Sequence, residues 1–152
     1  MNYRIFQISK SLIPNLEIHN SKDWEIYDEE CKRKNISIDN NILNKILKTK
    51  DINNYIDLND NHLIQHIKYN LKNNKYHICK HDDNCKYTII IYLSKTKTIS
   101  DKFFVNDTLV TENIWNKNDS KYTGLIFWGN ADHEGYIYGN GEREILCIFS
   151  ES

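Results

Sequence analysis

The sequence predicts an α+β protein, mostly β, with a β-sandwich or barrel in its second half and N-terminal helices packed on it. Three observations carry this reading. From Lys75 onward, short segments rich in Ile, Tyr, Phe, Thr and Trp follow one another, separated by polar turns. Apolar stripes of helical period are read only before that point. No repeat, low-complexity linker or composition break divides the chain, so residues 1–152 are read as one domain. Within it, 1–74 would supply a strand and supporting helices, and 75–152 the β-core.

YRIFQI (3–8) reads as a short strand. NILNKILKTK (41–50) puts Ile42, Leu43, Ile46 and Leu47 on one helical stripe. Around 60–73, Asn59, Asp60 or Asn61 could cap a second helix whose apolar face is Leu63, Ile64, Ile67 and Leu71. KYHICKH, KYTIIIYL, KFFV, TLVTENIW, YTGLIFW, HEGYIYG and REILCIF then read as strands. Between the last two, Gly139-Asn140-Gly141 is a hairpin signal. All 5 glycines fall between Gly124 and Gly141, which predicts tight turns or a crowded site there.

Composition narrows the function classes. Charged residues make up 27% and the formal net charge is −1, which argues against nucleic acid or an anionic membrane as partner. Mean hydropathy is −0.68, and no apolar run approaches the roughly 20 residues of a spanning helix. MNYRIFQISK lacks the apolar core of a secretory signal, so a cytoplasmic protein is expected. The 4 cysteines form no CxxC pair and are read as reduced thiols. Heavy use of Lys, Asn and Ile points to an AT-rich genome, such as that of a large DNA virus or an AT-rich microbe.

The chemistry-bearing residues begin at His81-Asp82-Asp83. Alone these would make an ordinary polar turn. In extended chain, however, His81 and Asp83 share a face while Asp82 points away. If the hairpin centres near Asn140, Arg143 lies opposite Ile137, which shares parity with His133. His133 and Arg143 would then enter one cavity about four residues apart along the strand, or about 13 Å. Two histidines and one carboxylate form a facial set that suits non-haem Fe(II). Arg143 supplies a planar fork for a carboxylate, and Tyr92, at the end of TIIIYL, could offer a phenol to the same group. A short dicarboxylate has the right length to join the two ends.

In these residues the chain resembles the Fe(II)- and 2-oxoglutarate-dependent dioxygenases, in particular the prolyl 4-hydroxylase-like branch. The resemblance covers roughly 75–150. It consists of an HxD motif (His81-Asp82-Asp83), a strand ending Tyr-Leu (IIIYL), an apolar strand (GLIFW) before a histidine in HEG, and an arginine ten residues after that histidine. It implies a double-stranded β-helix, or jelly-roll, core. It also implies Fe(II) on His81, Asp83 and His133, and 2-oxoglutarate with its distal carboxylate on Arg143 and Tyr92. Ascorbate would serve as reductant and O2 as co-reactant. The implied reaction is hydroxylation of a protein or peptide, with proline the leading target residue. The link from Asp83 to the Tyr-Leu strand is short, and the glycine-rich segment usual between the two halves is absent. These departures motivate an alternative, a non-catalytic or weakly active oxygenase-like module that engages or mimics a host protein.

Blander readings hold elsewhere. His77, Cys79, His81 and Cys85 crowd one short stretch and lack the two separated ligand pairs of a structural zinc site. His19, His62, His66 and His77 are read as surface or packing residues, Trp115 and Trp128 as core, and Tyr136 and Tyr138 as outer-face residues.

Overall fold

The computed structural model describes residues 3–13, 24–110, 115 and 120–151. Nine strands and one α-helix are found among them: β1 (Tyr3–Ser9), β2 (Glu25–Ile26), β3 (Cys31–Asn35), α1 (Asn40–Leu47), β4 (Asn61–His81), β5 (Tyr87–Lys95), β6 (Ile99–Val105), β7 (Thr108–Leu109), β8 (Lys121–Trp128) and β9 (His133–Glu151). His19 and residues 111–114 of the TLVTENIW segment lie outside the described residues. Among the described residues, no helix is long and apolar enough to cross a membrane.

β1 and α1 stand where the sequence placed them. Asp39 caps α1, its side chain accepting from the Asn41 N–H, and Ile46 and Leu47 are buried. The second helix is a correction: Asn61–His81 is one strand of 21 residues. Positions 63, 67 and 71 are four apart, a spacing that serves a strand face as well as a helical one. Ile67, Tyr69 and Leu71 line one core while Ile64 enters another, so alternation and pairing on both sides override the local helical pattern.

The predicted hairpin at Gly139-Asn140-Gly141 is a second correction. β9 runs through it without turning back and pairs with β4 along nearly its whole length. The glycines are used for a bend instead: φ is +122° at Gly139 and +130° at Gly141. β4 bends beside them through a bulge at Asn73, where φ is +55° and the register shifts. Tyr69 and Tyr76 show how sharp the bend is. Their ring centroids lie 5.3 Å apart, although seven residues of straight strand would span about 23 Å.

This shared bend makes two facing layers. The larger has the order β1-β8-β5-β9-β4-β3-β2, using the second half of β9; β6, with β7 at its side, pairs with the first half of β9. The interior between the layers holds Ile90, Tyr92, Phe103, Leu125, Phe127, Ile137 and Ile145. Behind the larger layer a second core joins Phe6, Ile46, Leu47, Ile89, Ile91 and Leu146. β5 is therefore buried on both faces, which explains the unbroken TIIIY run. Trp128, read as core, is 37% exposed and packs edge-on to Tyr55. It closes β8 at the rim, past the last interior position, Phe127.

Gly139 is the least replaceable point of the bend. A Cβ there would run into the Thr98 carbonyl oxygen, at a φ that side-chain-bearing residues rarely adopt. Gly139→Ala is expected to cost on the order of 3 kcal/mol, read as a shift in the urea midpoint at unchanged slope. A variant within about 0.5 kcal/mol of wild type would show that the bend is not set by this glycine.

Candidate metal centre

β4, β9 and the turn after β4 bring three side chains together. His81 is the last residue of β4 and stands across from His133, the first of β9. A second register shift in β4, between Ile78 and His81, gives His81 this position. Asp83 lies beyond the strand. The turn that carries it is held by its own N–H, which donates to the Gly129 carbonyl, and by Asp82, whose Oδ1 accepts from the Asn84 N–H. His81 and Asp83 thus come together, as the i, i+2 reading expects, but for a different local reason, a turn and not a strand. Asp82 is engaged elsewhere, as expected of a bystander.

The ligand atoms of His81, Asp83 and His133 all lie within 4.8 Å of one another. Asp83 Oδ1 stands 3.4 Å from His81 Nε2 and 3.3 Å from His133 Nε2. Each ring is oriented from behind: His81 Nδ1–H donates to the Cys79 carbonyl at 2.6 Å and His133 Nδ1–H to the Ala131 carbonyl at 3.0 Å. Both Nε2 atoms are left facing the carboxylate, and on losing a proton each would offer its lone pair there to a metal. His133 is buried against Phe127 and Phe103, whereas His81 is 47% exposed.

Electrostatics favour this set. Burial raises the Asp83 carboxyl, but the hydrogen bonds from His133 and Thr88 and the charges of both histidines outweigh it and leave the group below the usual carboxylate value. Burial works against a charged His133, yet the Asp83 carboxylate and the Ala131 carbonyl hold it above the ordinary histidine value. Two cation-accepting rings around one anion make a ready site for a divalent ion. The chemistry of the donor set fits Fe(II).

Thr88 donates to Asp83 Oδ2 at 2.6 Å and leaves Oδ1 for the ion. Thr88→Val keeps the shape of this buried residue and removes that bond. Mn(II) affinity is expected to fall about 10- to 100-fold, measured by the free Mn(II) signal in electron paramagnetic resonance. An unchanged affinity would show that Asp83 is positioned without Thr88.

Arg143 and Tyr92 face the same interior from the larger layer. Arg143 is 3% exposed, and its Nε donates to Asp101 Oδ2 at 2.8 Å. Trp115 Nε1 donates to both Asp101 oxygens at 2.9 Å. The guanidinium lies 5.1 Å from the Tyr69 ring and 5.6 Å from the Tyr92 ring. Arg143 Nη1 and the Tyr92 hydroxyl are both buried with no hydrogen-bond partner. An unpaired donor beside an unpaired hydroxyl fits one end of a carboxylate, and in this respect the residues fit 2-oxoglutarate. Asp101 departs from expectation, because it already neutralises the arginine. Burial alone would lower the Arg143 pKa, but Asp101 raises it above the usual value.

A cavity of about 710 Å³ opens from His81, Asp83 and His133 and runs to Tyr69 and Ile145. Arg143 and Tyr92 are not among its lining residues; their cross-strand partners Tyr69 and Ile145 are. Arg33, from β3, does line it. Sequence reasoning missed Thr88, Asp101 and Arg33. Thr88 shares a face with Tyr92 and could have been found by parity, whereas Asp101 and Arg33 carry no spacing signal.

No family model and no curated protein matches the chain. Solved structures do. A prolyl hydroxylase from Trichoplax adhaerens, in complex with a hypoxia inducible factor oxygen degradation domain peptide fragment, aligns with a TM-score of 0.60 at 13% identity, covering 98% of this chain and 83% of that one. An oxidoreductase of the 2OG-Fe(II) oxygenase family from Burkholderia pseudomallei aligns with a TM-score of 0.55 at 14% identity, covering 95% and 82%. KdgF from a Halomonas species aligns with a TM-score of 0.50 at 10% identity, covering 88% and 90%. These likenesses show the fold: the two bent layers are a double-stranded β-helix of jelly-roll type.

Proposed function

We propose that the chain is an Fe(II)- and 2-oxoglutarate-dependent dioxygenase acting on a protein or peptide, with a prolyl residue as the leading target. The observation that carries this is the convergence of His81, Asp83 and His133 at the mouth of a cavity inside a double-stranded β-helix. The likeness to a prolyl hydroxylase solved with a peptide supports the substrate class.

Fe(II) with 2-oxoglutarate would supply the activation of O2 for hydroxylation, coupled to decarboxylation of the cosubstrate to succinate. The chain's own residues do the positioning. His81 and His133, turned by the Cys79 and Ala131 carbonyls, and Asp83 Oδ1, set by Thr88, would hold the metal. Arg143 Nη1 and the Tyr92 hydroxyl would receive the distal carboxylate of 2-oxoglutarate, while Asp101 and Trp115 fix the plane of the guanidinium. Phe103 and Phe127 press on His133 and keep water from the inner side of the site.

The test is incubation of the purified protein with Fe(II), ascorbate and 2-oxoglutarate, with succinate as the readout. Succinate formation above a metal-free control supports the reading; no turnover together with no binding of metal or 2-oxoglutarate overturns it. One observation favours the alternative of an oxygenase-like interaction module: the buried Asp101 already occupies Arg143. Partner binding that survives His81→Ala and Arg143→Ala, with no turnover by the intact protein, would establish that alternative.

A further inference from the structure

We infer that Arg33 is a carboxylate-binding residue of this cavity, placed to read an acidic group on the substrate. It lies on β3, outside residues 75–150, whose sequence motifs carry the oxygenase resemblance. Its cross-strand partner is Ile67, which in turn pairs with Ile145, and all three line the cavity that begins at His81, Asp83 and His133. Arg33 thus shares one continuous interior surface with the metal ligands.

Arg33 is available to a ligand in a way Arg143 is not. Arg143 is bonded to a buried aspartate. Arg33 makes no ion pair among the described residues, and its Nε is buried without a partner. Among the described residues, the carboxylate in this part of the cavity wall is that of Asp28, and it is already used: Oδ2 accepts from the Tyr76 hydroxyl at 2.6 Å and Oδ1 from the Glu30 N–H at 2.9 Å. Glu25, opposite Arg33 across the β2–β3 pair, is exposed and forms no ion pair with it. Lys75 also lines the cavity and adds a second positive charge; its ammonium rests on the Tyr136 ring.

The guanidinium is oriented as a receptor. It stacks over the Tyr27 ring with its carbon 3.8 Å from the centroid. A contact made through the guanidinium face does not use its N–H edge, and that edge is what takes a carboxylate bidentately. Tyr27 is 59% exposed, so this end of the cavity meets solvent. The opening beside Tyr27 would let a group from outside reach Arg33 without passing the metal ligands. That position suits an aspartate or glutamate carried by a peptide substrate. The same chemistry could come from 2-oxoglutarate if its distal end turned toward β3, and experiment separates the two.

The placement of a substrate rests on the oxygenase reading; the affinity of Arg33 for a carboxylate does not. Wild type, Arg33→Gln and Arg33→Lys would be compared in three measurements: Mn(II) affinity, 2-oxoglutarate affinity of the Mn(II) protein by calorimetry, and binding of two end-blocked hexapeptide pools, one containing Asp and Glu and the other their amides. The acidic pool is expected to bind wild type about tenfold more tightly than the amide pool. Arg33→Gln should erase that preference and Arg33→Lys retain part of it, with Mn(II) and 2-oxoglutarate affinities unchanged. Loss of 2-oxoglutarate affinity in Arg33→Gln, with no acidic preference in wild type, would assign the carboxylate to the cosubstrate and keep the site. If Arg33→Gln changed neither affinity, the inference would be wrong. Failure of wild type to bind Mn(II) would count against the oxygenase reading alone, because the peptide preference is also measurable without metal.

Discussion

His133→Ala is expected to abolish metal binding and 2-oxoglutarate turnover together. The substitution removes the one ligand that is both buried and fixed by an inner wall. It leaves Asp83 with His81, a ring nearly half exposed. Removing a residue that merely orients a ligand typically costs 10- to 100-fold in affinity, so losing the ligand itself should cost at least about 100-fold. Succinate formation should fall to background. Because His133 also packs against Phe103 and Phe127, alanine leaves a void there. His133→Gln fills more of that space and separates ligation from packing. It should keep the fold and still lose Mn(II), whereas wild-type affinity in that variant would remove His133 from the ligand set. Asp82→Asn keeps the acceptor for the Asn84 N–H and should bind Mn(II) within about twofold of wild type.

The second large effect concerns stability. Arg143 and Asp101 are 3% and 4% exposed in their side chains and bonded at 2.8 Å. Arg143→Leu would strand the Asp101 carboxylate in the interior with, among the described residues, only the Trp115 N–H for company. Breaking such a pair from one side costs about 3–5 kcal/mol, while replacing both partners by apolar groups is often neutral. Urea unfolding of Arg143→Leu should show that loss, and Arg143→Leu with Asp101→Leu should recover most of it. Turnover of 2-oxoglutarate should not return in the double variant, since neither leucine binds a carboxylate. A double variant as unstable as the single would mean that the guanidinium is held mainly by the Tyr69 and Tyr92 rings.

The path from sequence to site was sound in its parity and mistaken in its turn. His133 and Arg143 do face one interior, yet no hairpin joins them. Ten residues is an even number, and alternation along one unbroken strand keeps both on the same face provided the backbone adds no bulge. Gly139 and Gly141 signalled positive φ correctly. What a local signal cannot state is whether positive φ reverses the chain or only bends it; the partner strand decides, and β4 bends in step through Asn73. The same dependence on partners undid the helix at 60–73, whose apolar positions fit two periods until β3 and β9 chose one. Asp101 and Arg33 were illegible for another reason. Each reaches the interior from a strand with no motif, and their importance rests on which neighbours already have partners, a fact of tertiary packing alone.

The bent β9 also divides the candidate metal centre into two parts of unlike mobility. That strand is hydrogen-bonded on both sides, to β4 along one edge and to β6 and then β5 along the other. Amides in such a position exchange with solvent only when most of the sheet opens. Arg143, in the middle of β9, therefore belongs to the last part of the molecule to loosen, while His133, the first residue of β9, still has a strand on either side. Asp83, on a turn tied to Gly129 by a backbone hydrogen bond, and the half-exposed His81 at a strand end belong to the part that opens at low cost. A ligand-bearing turn that opens more readily than the strand facing it would let an ion exchange without unfolding the sheet, so the turn after β4 is where the release rate of a bound ion would be tuned.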